Sequence, residues 1–306
     1  MILHCADWFG HRSSQPWVLN AQGLHTSYNI RARTRGIRTL STPVRFLILS
    51  DMHGAELPQN LPQCEVLLHC GNLTEHGTPQ SISSALQNLS KVDARLKLVI
   101  AGNHEVSLDR QYWLSHGGPE DDVKRAHALV ASNGEASQYG TNFLSEGTHT
   151  FNLPCGATFK IYASPYTPGN GASALQYPSS NATPSWADNA GNSTSIIPED
   201  VDIVMTHGPP KLKPRLYCFG HAHLARGSWN YEAHILKYGA HMELDDDPEP
   251  ICHIFKDCVG CLSPGGAELF RGNRQYTLCV NAAMEGDKGV LEHPPWLVAL
   301  DLPVRS

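Results

Sequence analysis

Five short apolar runs along this chain each stop at a residue able to bind a metal or a phosphate, usually beside a glycine. That repetition constrains the fold more than any other feature. Residues 45–49 stop at Ser50-Asp51, 65–69 at Cys70-Gly71-Asn72, and 96–100 at Gly102-Asn103-His104. Residues 202–205 stop at Thr206-His207-Gly208, and 215–219 at Gly220-His221. Runs this short and apolar, closed by turn residues, read as buried strands. Sheets in α/β proteins collect their ligands beyond the carboxyl ends of strands, where glycine permits close backbone approach. Helices fit between some of the runs. Thr78-Pro79 offers an N-cap with proline in the first turn, and Ile82, Ala85, Leu86 and Leu89 then share one face. A second helix is expected over 120–132, where Glu120, Asp121 and Asp122 suit the helix dipole and Asn133-Gly134 ends it. Residues 276–280 and 296–300 read as closing strands, and the class is α/β.

Composition narrows the function. The chain has 306 residues, 23 Lys+Arg against 29 Asp+Glu, and a net charge of −6. An acidic surface excludes general nucleic-acid binding, so any phosphate must be held by local positive charge. The 17 histidines fit metal ligation and acid–base work. No apolar run reaches the roughly 20 residues of a membrane span. Residues 1–17 show no secretory h-region, and an odd count of 9 scattered cysteines suits reduced thiols, so an intracellular, cytoplasmic location is expected. On the same ground the sequons at Asn72, Asn88, Asn181 and Asn192 read as chance matches.

The strand ends together supply Asp51 and His53, Asn72, Asn103 and His104, His207, and His221 with His223. One carboxylate, two amides and five imidazoles suit Mn, Fe or Zn better than Ca, which prefers oxygen alone. In this order the segments Asp51-Met52-His53, Gly71-Asn72, Gly102-Asn103-His104, His207 and Gly220-His221-Ala222-His223 resemble the calcineurin-like metallophosphoesterase superfamily. The finer resemblance is to its small metallophosphoesterase-domain-containing, phosphodiesterase-like branch. It is carried by Ser164-Pro165-Tyr166-Thr167-Pro168, Thr206-His207-Gly208-Pro209-Pro210, Pro214-Arg215-Leu216 and Val280-Asn281-Ala282-Ala283.

The resemblance implies a four-layer α/β/β/α sandwich of two mixed sheets flanked by helices. It implies two divalent metal ions, one held by Asp51, His53 and His223, the other by Asn103, His207 and His221, with position 72 bridging. Asn103 and His104 would bind substrate, and His104 would be catalytic, stabilising or protonating the leaving oxygen. The implied reaction is phosphoester hydrolysis by metal-activated hydroxide with in-line attack. The substrate it implies is a small phosphodiester such as a cyclic nucleotide. The domain is expected over 44–306, after an N-terminal extension at 1–43, with loop-rich insertions near 164–198 and 241–275.

Three departures qualify this. Position 72, where the family carries Asp, is Asn here, which removes a charge between two cations and should weaken the second metal most. Only residues 208–214 separate two adjacent strands, too few for a helix, so part of a sheet face is expected to lie uncovered, near Leu212. Leu224 stands where the branch usually has Glu. These motivate a rival reading, an impaired homologue that binds metal or nucleotide and regulates an unknown protein partner; a third is a metal hydrolase recruited to a non-phosphate substrate, which the same ligands could serve. Cys258-Val259-Gly260-Cys261 lacks a second matched pair and reads as loop thiols rather than a zinc knuckle.

Overall fold

The computed structural model describes residues 41–168, 173–177, 200–208, 214–223, 227–232, 252–253, 261–262, 276–286 and 289–304. The first sheet is built from β1 (Ser41–Leu49), β2 (Cys64–His69), β3 (Ala94–Val99), β4 (Thr141–Phe143) and the closing β15 (Trp296–Pro303), in the order β15-β1-β2-β3-β4. The second contains β5 (Gly147–Asn152), β6 (Thr158–Ser164), β9 (Ile203–Thr206), β10 (Leu216–Phe219), β11 (Gly227–Glu232) and β14 (Tyr276–Asn281), in the order β11-β14-β10-β9-β6-β5. Two-residue strands β7 (Thr167–Pro168) and β8 (Gln176–Tyr177) pair in the loop expected near 164–198, and β12 (Cys252–His253) pairs with β13 (Cys261–Leu262) in the one near 241–275. Within those two loops residues 169–172, 178–198, 241–251, 254–260 and 263–275 lie outside the described residues, as do the extension up to residue 40 and Leu224.

In each large sheet the inner strands run parallel and an outer strand runs antiparallel: β15 on β1, β11 on β14 and β5 on β6. Both sheets are therefore mixed. The period of two along each strand sorts the side chains. Val44, Phe46, Ile48, Val66, Leu68 and Leu98 point one way, into a shared core with Phe159, Ile161, Ile203, Met205, Leu216 and Val280 of the second sheet. Leu47, Leu49, Leu67 and Val99 point the other way, onto Ala85 and Leu89 of α1 (Pro79–Ser90).

The helix begins where expected. The Thr78 hydroxyl accepts from the Ser81 amide at 3.2 Å, and Pro79 occupies the first turn. Ile82 and Leu86 of α1 then pack on Ala126 of α3 (Glu120–Val130) and Ala136 of α4 (Glu135–Gln138), with the short α2 (Arg110–Ser115) lying between α1 and α3 in sequence. The expected helix over 120–132 is thus present, ending at Val130. The molecule is α/β: two mixed sheets face to face, with flanking helices.

Three strands near the middle of the chain escape a reading based on apolar runs. In β5 exposure alternates along Gly-Thr-His-Thr-Phe-Asn, because an edge strand needs only one buried face and carries no continuous apolar run. β6 interrupts its apolar residues with Lys160, and β4 has three residues.

The short 208–214 connection joins β9 and β10, which pair directly and in parallel, Leu216 opposite Ile203. Each strand is only four residues long, so an extended segment spanning up to ~25 Å can return along them without a helix. The expectation of an uncovered face is corrected. Tyr162, Val204, Tyr217, Phe219 and Cys279 form a buried cluster on the outer face of this sheet. Leu212 itself lies outside the described residues.

Phe46 and Phe159 meet edge to face across the two sheets, ring centroids 5.5 Å apart, both buried. Phe46→Ala should lower unfolding free energy by about 3–5 kcal/mol, measured by urea denaturation, because the sandwich core cannot collapse onto the lost ring.

Candidate metal centre

The parallel strands deliver their carboxyl ends to one end of the sandwich, and the sequence-expected residues meet there. Asp51 follows β1, Asn72 follows β2, Asn103 and His104 follow β3, His207 follows β9, and His221 and His223 follow β10. The backbone marks the same place. Asp51, His53, Asn72 and His221 all have positive φ, at 56°, 48°, 54° and 65°; Leu175 is the fifth such non-glycine among the described residues. Side chains rarely adopt that region, and such strain gathers at functional sites.

The motif glycines are needed for the approach. A Cβ on Gly71 would lie 2.6 Å from His207 Nδ1, and one on Gly102 would lie 2.3 Å from Asn72 Oδ1. A Cβ on Gly220 would lie 2.0 Å from Ser50 Oγ and 2.2 Å from Asp51 Oδ2.

Two groups of donor atoms result. In the first, the fully buried Asp51 places Oδ1 3.2 Å from His223 Nε2 and 3.8 Å from His53 Nε2. Burial alone would raise the Asp51 carboxyl, but the His223 hydrogen bond and the nearby histidines hold it below its usual range. That same bond raises His223, whereas burial lowers His53. Both ring nitrogens of His53 are buried without a hydrogen bond, although Glu75 Oε2 lies 2.9 Å from Nδ1. Orphaned imidazole nitrogens facing a carboxylate and a second imidazole fit a cation.

The second group is Asn103, His207 and His221. Asn103 Oδ1 lies 2.8 Å from His207 Nε2 and 3.0 Å from His221 Nδ1. Burial pushes His207 down to about 4, so the ring is neutral. Its Nδ1–H donates to the Cys70 carbonyl at 2.8 Å, which leaves Nε2 as a lone pair aimed at another lone pair. Two acceptors at that distance again fit a shared cation.

Asn72 sits between the groups with the wrong end forward. Its Nδ2 donates to Asp51 Oδ1 at 3.0 Å and to Asn103 Oδ1 at 3.3 Å, while its Oδ1 accepts from the His104 amide at 3.0 Å. The carbonyl is thus turned away, and an N–H points where a bridging carboxylate oxygen would stand. His104 packs edge-on against His53 with centroids 4.5 Å apart, and its Nδ1–H donates to the Glu75 carbonyl at 2.9 Å.

Sequence reasoning counted Asp51 as the one carboxylate here and missed three glutamates. Glu75 and Glu285 both face His53, at 2.9 and 3.5 Å. Glu105 directly follows Gly102-Asn103-His104, a position that could have flagged it. It is fully buried, and its carboxylate accepts from the amides of Gly102 (2.7 Å), Asn72 (3.0 Å) and Thr74 (3.0 Å) and from the Thr74 hydroxyl (3.1 Å). Burial nonetheless raises it to about 7. One side chain thereby clamps the loops carrying Asn72 and Asn103.

Two predictions follow from these burials. Glu105→Ala leaves several buried amides without an acceptor and should cost at least about 3 kcal/mol, read as a drop in Tm, with Glu105→Gln recovering part of the loss. The second concerns pH. Burial depresses His69 to about 3 and His207 to about 4, against an unfolded value near 6.5. Their contribution is therefore complete above pH 6.5 and is lost as pH falls toward 4, because only the unfolded chain takes up the protons. Each histidine should cost metal-free protein up to about 1.4 kcal/mol per pH unit across that window, offset in part by Glu105, whose raised value makes the folded chain take up its proton first between pH 7 and 4.5; urea unfolding of the wild type and of Glu105→Gln at pH 7.5 and 5 should show the larger loss in the variant.

Comparison with known proteins agrees with this geometry. Residues 44–225 match the family model for calcineurin-like phosphoesterases. The chain is 32% identical over 244 residues to a probable rhamnogalacturonate lyase C of Emericella nidulans, a match spanning 79% of this chain but 21% of that protein. It is 28% identical over 214 residues to human metallophosphoesterase domain-containing protein 1, covering 60% of this chain and 61% of the relative. A Caenorhabditis elegans UPF0046 protein is 23% identical over 215 residues, covering 62% and 67%. The chain thus spans about a fifth of the first relative's length and about three fifths of the second's. A matched stretch that carries every strand-end donor from Asp51 to His223 places this chain in the calcineurin-like phosphoesterase family.

Proposed function

We propose that the chain hydrolyses small phosphodiesters with the help of divalent metal ions. The observation that carries this is the convergence of two groups of ligand-type atoms, Asp51/His53/His223 and Asn103/His207/His221, on either side of Asn72, with both ring nitrogens of His53 left without a hydrogen bond. Ions bound there would polarise a phosphoryl group and lower the pKa of water, and Mn, Fe or Zn suits the mixed N/O set.

The chain's own residues do the rest. Asp51 stays ionised, so it can face a cation without first losing a proton. Asn103 turns its Nδ2 toward Ser173 Oγ at 3.0 Å, which fixes its carbonyl toward the histidines. His104 has Nδ1 committed to the Glu75 carbonyl, so Nε2 is the atom left for substrate. A third of the His104 side chain is exposed, as access to substrate requires. With Nδ1–H given to that carbonyl, an imidazolium would carry the Nε2 proton that can be donated to the departing oxygen. Preference for diesters rests on the resemblance: the Val-Asp-Arg-Gly run of protein phosphatases is missing after Gly71-Asn72.

The orientation of Asn72 favours a second reading, a weakly active or regulatory homologue whose second ion binds poorly. The first relative's name, a lyase, keeps a non-phosphate substrate as a third, although the chain spans little of that protein. A reducing, intracellular setting is consistent with the described cysteines Cys64, Cys70, Cys155, Cys218 and Cys279, all of them free thiols. Among the described residues no helix is long and apolar enough to cross a membrane.

Hydrolysis of bis(p-nitrophenyl) phosphate with added Mn²⁺ tests the proposal. Wild type should turn over, and His104→Ala and His207→Ala should lose at least about 100-fold in kcat/KM. Asn72→Asp should raise both bound metal and turnover; unchanged stoichiometry and rate would remove the weakened-second-ion reading. Stoichiometric nucleotide binding without turnover would favour the regulator.

A further inference from the structure

Glu285 approaches the Asp51 side of the centre from a segment that none of the strand-end motifs includes. After β14, residues 282–284 continue beside the end of β1. Ser50 bridges Ala283 in parallel, and the Met284 amide donates to the Ser50 carbonyl at 3.0 Å. Glu285 is then held by an antiparallel bridge to Leu291. This path ties its backbone to the residue preceding Asp51 and leaves its carboxylate against two imidazoles. Oε2 lies 3.5 Å from His53 Nε2, and Oε1 lies 4.0 Å from His223 Nδ1. The side chain is mostly buried, at 18% exposure.

We propose that Glu285 is a metal ligand that joins Asp51, His53 and His223, supplying at the first position the negative charge that Asn72 withholds from the bridge. The inference rests on the metal-centre reading above.

The geometry supports it in three ways. First, His53 Nε2 is buried and makes no hydrogen bond, so its approach to Glu285 is not an ordinary donor–acceptor contact. Second, neighbouring ligands about 2.1 Å from one ion stand roughly 3.0–3.4 Å apart. Asp51, His53 and His223 already bring one ligand atom each within 4.8 Å of one another, and Glu285 Oε2 stands 3.5 Å from the same His53 Nε2; because Glu285 meets His223 at Nδ1 rather than at the Nε2 that faces Asp51, its carboxylate has to swing toward Asp51 to complete the set. Third, the charge balances. Two carboxylates and two neutral imidazoles neutralise one divalent ion, whereas Asp51 alone leaves a net charge in a buried site.

On this basis the two positions are unequal: the one at Asp51, His53, His223 and Glu285 fills first and tightly, and the Asn103 side fills later. Glu75 stands apart from this set, its Oε2 2.9 Å from the opposite ring nitrogen of His53, Nδ1.

The experiment is calorimetric titration of the chelator-stripped full chain with MnCl₂, with no substrate present. Wild type should bind a first Mn²⁺ tightly. Glu285→Gln should weaken that step at least 10-fold while leaving the metal-free Tm unchanged. Glu285→Asp, which keeps the charge but draws it back by one methylene, should fall between, and it serves alone if the Gln variant does not fold. Low-temperature EPR of the bound Mn²⁺ should change with both variants. Wild-type affinity in both would overturn the role of Glu285 while leaving the centre intact, provided His53→Ala abolishes the step. Absence of Mn²⁺ binding to wild type at millimolar concentration would overturn the centre and this inference together.

Discussion

One buried carboxylate joins the two sheets where the donor groups meet. Asp51 ends the first strand of the first sheet, yet its Oδ2 accepts the His221 amide at 2.9 Å, at the end of β10 in the second. Its Oδ1 receives Asn72 from β2 and His223 from beyond β10. A fully buried, ionised group is costly to desolvate, so it persists only with such partners. The consequences spread outward. Gly220 must lack a side chain to lie against Asp51, and Asn281 holds the following loop by donating to the Ala222 carbonyl at 2.7 Å. Trp296 of β15 in turn donates to the Asn281 carbonyl at 3.0 Å, which ties the closing strand of the first sheet to the same corner.

Electrostatics then decides how such a corner can hold cations. A bridging carboxylate would place negative charge between two ions; Asn72 places an N–H there instead. The nearby glutamates change the sum without restoring the symmetry, because Glu75 and Glu285 both face His53 and neither is seen against the Asn103 side. Negative charge is gathered on one half of the centre. The other half would offer a cation only neutral groups, Asn103, His207 and His221, which can coordinate but neutralise nothing.

Much of this was legible in the chain because strand ends write themselves plainly. A buried parallel strand must be apolar on both faces, and the residue that follows it must turn, so runs such as 65–69 followed by Gly71-Asn72 expose both strand and site. β1, β2, β3, β9, β10 and β14 were readable on that ground, and the antiparallel β15 by its apolar run alone. Edge strand β5 was not, since one of its faces meets solvent and its residues alternate. Glu105 and Glu285 were not legible either. A single glutamate in a loop looks the same whether it faces water or clamps three buried amides, and only its neighbours in space distinguish the two.

By itself, then, the sequence determined the α/β class and which ligand-type residues, from Asp51 to His223, stand at the ends of which apolar runs, because these depend on local periodicity and adjacent residue types. It also determined that position 72 carries no charge. Only the tertiary structure decided which way the Asn72 amide points, that the sheet face beside the short 208–214 connection is covered, and that Glu285 stands beside His53. Those outcomes depend on contacts between segments far apart in the chain. Glu285 reaches its place through the pairing of residues 282–284 with the end of β1, which no local pattern encodes.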